Sequence, residues 1–447
     1  MGGIYKAYDV RGVYNKDWNK EDAYKIGFFL PGLLKAGKIA VGRDVRKSSD
    51  EVFENLTRGM TDAGCDVYDI GLAETPMVYF STVKYDMDGS VSITASHNPP
   101  EYNGLKVSKK LAVPVGYDNG LDQLEKMVKT GSIKPAAKRG SVKKLDIRND
   151  YITHLKSFAQ NIKPLKVVID TANGMGGLVI PHLLEELGFN VVKLFAELDG
   201  TFPNHLPDPL KEENLVVLKQ TVIKEKADLG IAIDGDADRV MFIDENGQYI
   251  SADLIIPLMG LLLLKKGKGH VLYDVRSSRS VAEEVAKLGG KPYMWKVGHA
   301  YMKLKLRELD GLYGGELAGH YYFRDNFYTD SAAVALMCVL STLSQDNRKI
   351  SQIISSIRKY HFSGEINYKV NNKDEIINKL KAKYSDGTII DIDGVRVEFP
   401  DYWFCVRGSN TEPLLRLVVE AKTKELMDKK VKELAEIIGA GEAAAGH

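Results

Sequence analysis

One hydroxyl in this chain, that of Ser96, lies in a stretch suited to carry a phosphate, TASHNPPEYNGLK. The preceding residues 90–93 alternate polar and apolar side chains, which is typical of a half-buried strand, and the proline pair that follows excludes a helix. The sequence therefore predicts that Ser96 lies on a loop just after a strand. Groups that could bind an anion are close in sequence: Thr94, His97, Asn98 and Lys106. A Ser-His pair alone is most often part of a solvated loop, so this interpretation depends on the rest of the chain.

A second cluster, Asp234, Asp236 and Asp238, directly follows the apolar run LGIAI at 229–233. Aspartates at alternate positions of an extended backbone point to one side, and three carboxylates so close together repel one another unless a cation compensates them. All-oxygen ligation suits Mg²⁺, which often also takes a phosphate oxygen. The sequence therefore predicts a magnesium site just beyond this strand.

Two other interpretations of these aspartates are open. A calcium-binding EF-hand loop would have its last ligand at Glu245, but Arg239 occupies the position that requires glycine, and a strand rather than a helix precedes the loop. A solvated acidic turn is the ordinary alternative. The apolar strand that leads straight into the aspartates argues against it.

Two later motifs could bind a sugar hydroxyl and a phosphate. In GGELAGH, at 314–320, the flanking glycines let the backbone approach a ligand closely, and the Glu316 carboxylate could accept hydrogen bonds from hydroxyls. In RGSNTEP, at 407–413, Arg407 offers a fork for phosphate oxygens, and the Ser, Asn and Thr side chains add neutral donors. No P-loop pattern accompanies it, so a nucleotide site of that type is not indicated. Each motif alone is most often an ordinary turn.

The composition indicates an ordinary globular protein of about three or four domains. The 447 residues are 44% hydrophobic and 27% charged, with a formal net charge of +1, which argues against a dedicated nucleic-acid-binding or polybasic membrane-binding protein. The three cysteines form no CxxC pair, so we expect reduced thiols and a cytoplasmic location. The N-terminus shows no apolar signal segment, and the apolar run 254–264 is too short to span a bilayer and predicts a buried helix.

Several segments share one order: an apolar strand, then a polar loop, then a helix. This order predicts mostly parallel α/β sheets, in which ligands bind beyond the carboxyl ends of the strands. Polar runs divide the chain into three similar α/β units, at 1–150, 151–250 and 251–365. A fourth, α+β unit at 366–440 is predicted to contain strands at 388–397, 403–406 and 415–421 and a helix at 424–438.

The motifs, in the order AYDVRG, TASHNPPEYNGLK, DGDADR, KVGH, GGELAGH and RGSNTEP, resemble those of the α-D-phosphohexomutase family, in particular its phosphomannomutase/phosphoglucomutase branch. The resemblance spans essentially the whole chain. It implies three similar mixed α/β domains and a C-terminal α+β domain resembling the TATA-box-binding-protein fold, around a central cleft. It also implies an enzyme that moves a phosphoryl group between the 1- and 6-positions of mannose or glucose phosphate through a phosphoserine and a hexose 1,6-bisphosphate.

The resemblance assigns a role to each motif. It implies that Ser96 is phosphorylated and that Mg²⁺ binds to Asp234, Asp236, Asp238 and the phosphoserine. The residues implied near the transferred phosphate or the sugar are Arg11, His97, Lys106, Arg239 and His299, with Lys106 and then His299 as the candidate general base or acid. The residues implied to bind substrate are Glu316, Ala318 and His320 at the sugar and Arg407, Ser409, Asn410, Thr411 and Arg416 at the distal phosphate.

Two positions depart from the family pattern: Ala318 stands where the sugar-binding loop usually has serine, and Arg276 stands where lysine is frequent. Leu317 favours mannose and glucose phosphates over glucosamine phosphate, because phosphoglucosamine mutases typically have glutamine there. The alternatives are a phosphoglucosamine mutase, a sugar-phosphate phosphatase and an inactive paralogue. The intact Ser96 and aspartates argue against the inactive paralogue. We expect a monomer or dimer with a hexose phosphate substrate, Mg²⁺ and a hexose 1,6-bisphosphate activator, and no nucleic acid or membrane partner.

Overall fold

Four β-sheets follow one another along the chain in the computed structural model, which describes residues 3–370, 372–408 and 414–439. Each sheet with its helices forms one domain. The apolar run 254–264 lies in a largely buried helix, as predicted. Within the described ranges, no helix is both long and apolar enough to cross a membrane.

The first sheet has seven strands in the order β1-β5-β4-β2-β3-β7, with β6 beside β5. Its domain consists of β1 (Val10–Val13), α1 (Lys20–Leu34), β2 (Lys38–Arg43), α2 (Ser49–Asp62), β3 (Asp66–Leu72), α3 (Thr75–Lys84), β4 (Gly89–Ile93), β5 (Tyr102–Lys109), β6 (Val113–Pro114), α4 (Leu121–Thr130) and β7 (Val142–Lys144). The strand before Ser96 is therefore β4, at the centre of the sheet.

All five residues of β4 are buried, so the prediction of a half-buried strand was wrong. Val91 and Ile93 pack in the apolar cluster that contains α1 and α2. The two serines face α3, where Ser90 accepts a hydrogen bond from Thr82 at 2.6 Å and Ser92 pairs with Thr75 at 2.9 Å. The alternation of side chains is real, but it separates an apolar face from a hydrogen-bonded one rather than core from solvent.

The second and third sheets have five strands each, in the orders β12-β11-β10-β8-β9 and β14-β13-β15-β16-β17. The second domain consists of α5 (Arg148–Lys156), β8 (Lys166–Asp170), α6 (Ile180–Glu186), β9 (Asn190–Leu194), α7 (Val216–Glu225), β10 (Leu229–Ile233), β11 (Val240–Ile243) and β12 (Tyr249–Ile250). The third consists of α8 (Ala252–Lys266), β13 (His270–Asp274), α9 (Arg279–Lys287), β14 (Lys291–Trp295), α10 (His299–Glu308), β15 (Tyr313–Gly315), β16 (Tyr321–Phe323), β17 (Thr329–Asp330), α11 (Ala332–Gln345) and α12 (Ile350–Ile357). Parallel and antiparallel pairs occur in each of the first three sheets, which are therefore mixed rather than mostly parallel.

The fourth sheet is antiparallel, in the order β18-β23-β22-β21-β20 with β19 beside β23. Its domain consists of β18 (His361–Phe362), β19 (Ile366–Lys369), α13 (Lys373–Lys383), β20 (Thr388–Ile390), β21 (Val395–Glu398), β22 (Tyr402–Gly408), β23 (Leu414–Ala421) and α14 (Lys424–Ile438). The single strand predicted at 388–397 is two strands, because a turn with Gly394 at φ 74° reverses the chain between them. The helix predicted at 424–438 is α14.

Most of the buried apolar side chains belong to one large shared core or to two local cores. The large core draws on residues 147–357 and on α3, so it joins the second and third sheets to the first domain. Residues 5–124 form a separate core under the first sheet, and residues 368–438 form another under the fourth. The fourth sheet meets the third domain through a small buried cluster, which contains Val275, Trp403, Cys405 and Val418.

Candidate active site

Ser96 lies in the serine loop (residues 94–101), which follows β4 as predicted. Its backbone is left-handed, with φ at 52°, and its N–H donates to the hydroxyl of Thr94 at 2.9 Å. Ser96 is only 1% exposed, and its hydroxyl donates to Asp234 Oδ2 at 2.9 Å. The loop thus presents the serine oxygen directly to the first of the three aspartates.

The aspartate loop (residues 234–239) is a tight turn between antiparallel strands β10 and β11, not the extended segment predicted. Ala237 has a left-handed φ of 60°, and the N–H of Asp238 donates to Asp234 Oδ1 at 3.1 Å. This turn, rather than a strand's alternation, brings Asp234, Asp236 and Asp238 together, with carboxylate oxygens within 4.8 Å of one another. All three aspartates are 0% exposed.

The ammonium group of Lys106 lies against this acidic cluster. Burial and the neighbouring carboxylates of Asp238 and Asp236 raise the pKa of Asp234 well above its ordinary value. Lys106 Nζ donates to Asp236 Oδ2 at 2.6 Å and to Asp238 Oδ2 at 2.5 Å. Although burial lowers the pKa of Lys106, the two carboxylates raise it further, so the group stays protonated. In this arrangement Lys106 can donate a proton and cannot accept one, which narrows its predicted role to that of an acid.

Two oxygens of the acidic cluster are left over for another cation. Asp236 Oδ1 and Asp238 Oδ1 are buried, and neither has a hydrogen-bond partner among residues 3–370, 372–408 and 414–439. A buried carboxylate oxygen without a partner is unfavourable. A set of carboxylate oxygens, with the serine oxygen beside it, is the donor set that Mg²⁺ prefers. The residues present therefore fit a hard divalent cation.

Basic groups flank the serine hydroxyl on the other side. His97 Nδ1 lies 3.3 Å from Ser96 Oγ and 2.6 Å from Arg239 Nη2. Burial and the charges of Arg239 and Arg11 hold the pKa of His97 well below its ordinary value, so the ring is neutral and Nδ1 accepts from the guanidinium. Arg11 donates to Asn98 Oδ1 at 2.7 Å. A neutral imidazole therefore lies next to Ser96, the Arg239 guanidinium binds that imidazole, and Arg11 binds the serine loop at Asn98.

The glutamate loop (residues 316–320) connects β15 to β16. Glu316 is 1% exposed; its Oε1 accepts from the N–H of Gly298 at 2.7 Å, and its Oε2 accepts from the hydroxyl of Tyr322. Because a carboxylate oxygen has two lone pairs, each oxygen can still accept from a further donor. The two protein bonds fix the carboxylate in one orientation.

A β-bridge between Arg239 and His320 joins the glutamate loop to the aspartate loop. His320 Nδ1 lies 2.9 Å from Asp330 Oδ2, and the His320 ring stacks on that of His299 with centroids 5.6 Å apart. Ala318 lies partly exposed in the same loop. The glutamate loop of the third domain is therefore in direct backbone contact with Arg239, the last residue of the aspartate loop of the second.

His299 is the first residue of α10. Burial and the charge of Lys303 lower its pKa well below the ordinary value, so the imidazole is neutral. Its Nδ1 is buried, and no hydrogen-bond partner for it occurs in the described part of the chain. The ring of Tyr8 packs edge-on against it at 5.3 Å. A neutral imidazole with an open nitrogen is suited to accept a proton.

Arg407 and Arg416 lie opposite each other on β22 and β23 of the fourth domain. Arg407 Nε donates to Asp393 Oδ2 at 3.1 Å, and Arg416 Nη1 lies 3.1 Å from Glu365 Oε1. The other oxygen of Glu365 accepts from Arg276 Nη1 at 3.0 Å, which links the arginines to the third domain. The remaining residues predicted for this site, Ser409, Asn410 and Thr411, lie outside the described residues.

Sequence reasoning missed the side chains that hold the motif residues in place. Asp330 and Tyr322 orient His320 and Glu316, and Arg46 bonds to the serine loop. Asp330 lies in TDS just before α11, where the pattern indicates a helix start rather than a partner for histidine. Partners of this kind are identified only once the strands have brought them together.

Models of the phosphoglucomutase/phosphomannomutase family match almost the whole chain: alpha/beta/alpha domain I at 3–133, domain II at 149–247, domain III at 251–360 and the C-terminal domain at 365–437. Phosphomannomutases of Escherichia coli and Vibrio cholerae are 36% and 38% identical, each over 97% of this chain and 98% of the relative. A phosphoglucomutase/phosphomannomutase family protein from Burkholderia thailandensis has a crystal structure with a TM-score of 0.90 at 31% identity, covering 98% of both chains.

These matches confirm the resemblance seen in the motifs, and they agree with the four mixed or antiparallel sheets of the structure. They extend to a phosphomannomutase/phosphoglucomutase of Pseudomonas aeruginosa, which is 37% identical over 95% of this chain and 93% of its own length. The chain therefore belongs to the phosphoglucomutase/phosphomannomutase family of hexose phosphate mutases.

Proposed function

We propose that this mutase moves a phosphoryl group reversibly between the 1- and 6-positions of mannose or glucose phosphate, with Ser96 as the covalent carrier. One observation carries the proposal: Ser96 Oγ lies 2.9 Å from Asp234 Oδ2, within a fully buried group of three carboxylates. A structural serine has no need of such a cluster. A serine that carries a dianionic phosphate needs a cation, and the cluster supplies its ligands.

Asp234, Asp236 and Asp238 would hold Mg²⁺, and the phosphoserine would complete the site. When bound, the cation offsets negative charge on the transferring phosphoryl group. Arg239 bonds to His97 next to Ser96, Arg11 bonds to Asn98 of the same loop, and the Lys106 ammonium bonds to Asp236. We expect these cations to stabilise the charge that spreads over the phosphoryl oxygens.

The first transfer forms a bond between a sugar oxygen and phosphorus while the bond from Ser96 Oγ to phosphorus breaks. The proton of the attacking hydroxyl passes to the neutral His299, whose Nδ1 is open, and the departing serine oxygen takes up a proton from the Lys106 ammonium, which acts as the acid. The product is a hexose 1,6-bisphosphate. After it turns over in the cleft, the reverse sequence returns its other phosphate to Ser96.

The substrate is held at both ends. Glu316 accepts hydrogen bonds from sugar hydroxyls, and Arg407 and Arg416, with the predicted Ser409, Asn410 and Thr411, bind the distal phosphate. A phosphatase has little need for a second phosphate site on a separate domain. Binding at both ends therefore supports phosphoryl return to the sugar over transfer to water.

We also propose the domain limits and the location. The limit predicted at 150 falls inside α5, and β18, placed in the third unit by sequence, pairs with β23 of the fourth sheet. A limit at 147 instead keeps α5 whole, and a limit at 360 keeps β18 with the fourth sheet. A cytoplasmic location fits the three cysteines, which are buried free thiols.

The test is a turnover assay with mannose 1-phosphate, glucose 1-phosphate and glucosamine 1-phosphate, with glucose 1,6-bisphosphate present, followed by phosphorus NMR. We expect the 6-phosphates of mannose and glucose at comparable rates, glucosamine 6-phosphate more slowly, and little free phosphate. Intact-protein and peptide mass spectrometry should place one phosphate on Ser96.

The matched pair of variants is Ser96→Ala and Ser90→Ala. Ser90 is a buried serine of β4 whose hydroxyl accepts a hydrogen bond from Thr82 of the same domain at 2.6 Å. We expect the first variant to lose turnover and the second to keep it. Turnover by Ser96→Ala near the wild-type rate, or phosphate release faster than isomer formation, would contradict the proposal.

A further inference from the structure

The side chain of Arg46 is completely enclosed, with 0% exposure, beneath the serine loop. Its guanidinium donates to main-chain carbonyl oxygens of that loop and of the first residue after it: Ser96 at 2.8 Å, Asn98 at 2.7 Å, Pro99 at 2.5 Å and Tyr102 at 3.1 Å. One side chain thus binds the backbone of the loop at four points. Arg46 takes no part in the phosphoryl transfer described above.

Asp44 holds Arg46 from the other side. Arg46 Nε donates to Asp44 Oδ2 at 3.0 Å, and Asp44 Oδ1 accepts from the backbone N–H of Arg46 at 3.0 Å and from Ser49 Oγ at 2.6 Å. A buried charge is tolerated only when it is paired and hydrogen-bonded. Asp44 provides that pair and fixes the direction in which the guanidinium points.

The second domain closes the remaining face of Arg46. The ring of Phe202 lies 5.0 Å from the guanidinium carbon. The backbone at Gly200, also in the second domain, packs directly against residues 45–46. A β-carbon added at Gly200 would lie 2.2 Å from the carbonyl oxygen of Val45 and 2.7 Å from the Arg46 Cα. Arg46 is therefore clamped between the serine loop, its own turn and the second domain.

We infer that Arg46 is a positioning residue, which holds the serine loop so that Ser96, in its left-handed conformation, presents its oxygen to the aspartate loop; this inference rests on the proposed function. A left-handed serine is unfavourable by itself and persists only where its surroundings determine it. The four hydrogen bonds from Arg46 to carbonyl oxygens hold the backbone in this conformation. The positive guanidinium also binds the negative ends of the carbonyl dipoles near Ser96, which would otherwise repel the phosphate that Ser96 is proposed to carry.

Lysine cannot replace this arrangement. The guanidinium has five N–H donors in a planar fork, and Arg46 makes five side-chain hydrogen bonds. An ammonium has three donors and no fixed plane. Arg46→Lys therefore keeps the positive charge but cannot make the same five hydrogen bonds. A loss of activity in this variant would show that the geometry of Arg46 matters and not its charge alone.

The experiment measures kcat and KM for glucose 1-phosphate in Arg46→Lys and Arg46→Ala, with added guanidinium or methylammonium at concentrations too low to denature. We expect Arg46→Lys to lower kcat by about 10- to 100-fold, the scale of a misplaced reacting group, with KM changed by less than about twofold. Guanidinium should restore kcat of Arg46→Ala by about tenfold or more, because it fits the vacated space and rebinds the carbonyls, and methylammonium should not.

Arg307→Ala is the control. Its guanidinium also bonds to carbonyl oxygens, of Leu111 at 3.0 Å and Phe327 at 2.8 Å, but away from the serine loop. We expect its kcat to match the wild type and not to respond to guanidinium. If Arg46→Ala does not fold, as judged by circular dichroism, Arg46→Lys decides the question alone.

Arg46→Lys turnover within about threefold of wild type, or a loss confined to KM, overturns the inference. So does failure of both variants to fold, since Arg46 would then be needed for folding rather than for placement. The wild type separates this from the proposed function. If wild-type protein takes no phosphate on Ser96 from glucose 1,6-bisphosphate, the proposed function fails; if it does and Arg46→Lys takes it equally fast, only the role of Arg46 fails.

Discussion

The hydroxyl of Thr75, in the first domain, donates to Asp236 Oδ2, in the second, at 2.6 Å, and the Thr75 N–H donates to the Asp236 carbonyl oxygen at 2.9 Å. Thr75 is the first residue of α3, so the positive end of that helix also points at the aspartate loop. One residue of the domain that carries Ser96 thus fixes both the backbone and the carboxylate of the central aspartate.

Thr75→Val should weaken Mg²⁺ binding by about tenfold, because removing one hydrogen bond to a charged group is worth about 1.5–3 kcal/mol and part of that loss falls on the orientation of Asp236. Calorimetric titration with Mg²⁺ measures the change without any substrate. Thr75→Ser keeps the hydroxyl and is the control. Equal affinities for all three proteins would show that Thr75 does not position Asp236.

Chelation of divalent cations should abolish turnover, and adding Mg²⁺ back should restore it. Asp236→Asn should lower kcat by at least about 10²-fold, the usual effect of removing one central electrostatic element. The variant also removes a partner of the Lys106 ammonium, so its fold should be checked by thermal unfolding. Full activity in excess chelator would rule out the metal site.

Gly235→Ala should separate the serine loop from the aspartate loop. A β-carbon at Gly235 would lie 2.3 Å from the carbonyl oxygen of Ser96, a backbone atom that cannot move aside by changing rotamer. We expect kcat to fall by about 10²-fold and stability by about 1–3 kcal/mol. Gly32→Ala, on the exposed side of α1 with its nearest neighbour at 3.8 Å, should instead gain about 0.5–1 kcal/mol. Kinetics and urea unfolding of both variants make the comparison.

Glu74 makes the stability of the protein depend on pH. It is 0% exposed, its Oε2 accepts from the Tyr151 hydroxyl at 3.1 Å, and burial raises its pKa from 4.5 to about 8. A raised pKa means that the folded state holds a proton that the unfolded state releases, so this contribution is complete below 4.5 and is lost as pH rises through about 8.

Glu74→Gln removes the ionisation and should be more stable than the wild type at about pH 8, with the difference shrinking as pH falls toward 5. Urea unfolding across that range is the measurement. Glu308→Gln, whose side chain is 62% exposed, is the control for losing a surface carboxylate. A difference between wild type and Glu74→Gln that stays constant with pH would show that Glu74 is ionised in the fold.

Arg407→Ala should act on substrate binding rather than on the chemical step. The loss of charge-assisted hydrogen bonds to a phosphate should raise KM by about 10- to 100-fold while kcat changes little. Steady-state kinetics with glucose 1-phosphate give both values. Arg358→Ala, at an exposed position outside the site, should leave KM unchanged. A fall in kcat at constant KM would place Arg407 in the transfer step instead.

The motif residues could be predicted from the sequence because their chemistry is local. Ser96 follows a strand directly, and three aspartates lie within five positions of each other. The conformation of the aspartate loop could not be predicted, because Ala237 adopts a left-handed φ of 60° that alanine seldom takes. Alternation on a strand predicted that the three carboxylates lie together, and they do, but it is the turn that brings them together.

The residues that hold the motifs in position could not be predicted from the sequence. Thr75 and Asp236 are 161 residues apart, and Arg46 reaches carbonyl groups 50 to 56 residues away. No spacing pattern connects such pairs, and a buried arginine that binds carbonyl oxygens looks in sequence like any surface arginine. The four-sheet architecture was predictable from alternating strands and helices, whereas antiparallel β5 and β11 entered their sheets without a sequence signal.

The fourth domain is the most separable of the four domains. Its main core is its own, and it meets the third domain through the buried cluster around Trp403 and through polar contacts. Arg396 donates to the carbonyl oxygens of Val275 at 2.8 Å and Ser277 at 2.9 Å, Arg276 donates to Glu365 at 3.0 Å, and Arg279 donates to the carbonyl oxygen of Phe399 at 2.7 Å. The second and third domains share the large core with α3 of the first domain, so these three domains must be inherited together. We therefore expect that a chimaera between relatives can exchange the fourth domain, with Arg407 and Arg416, and keep the serine and aspartate loops unchanged, provided that the contacts with the third domain are preserved.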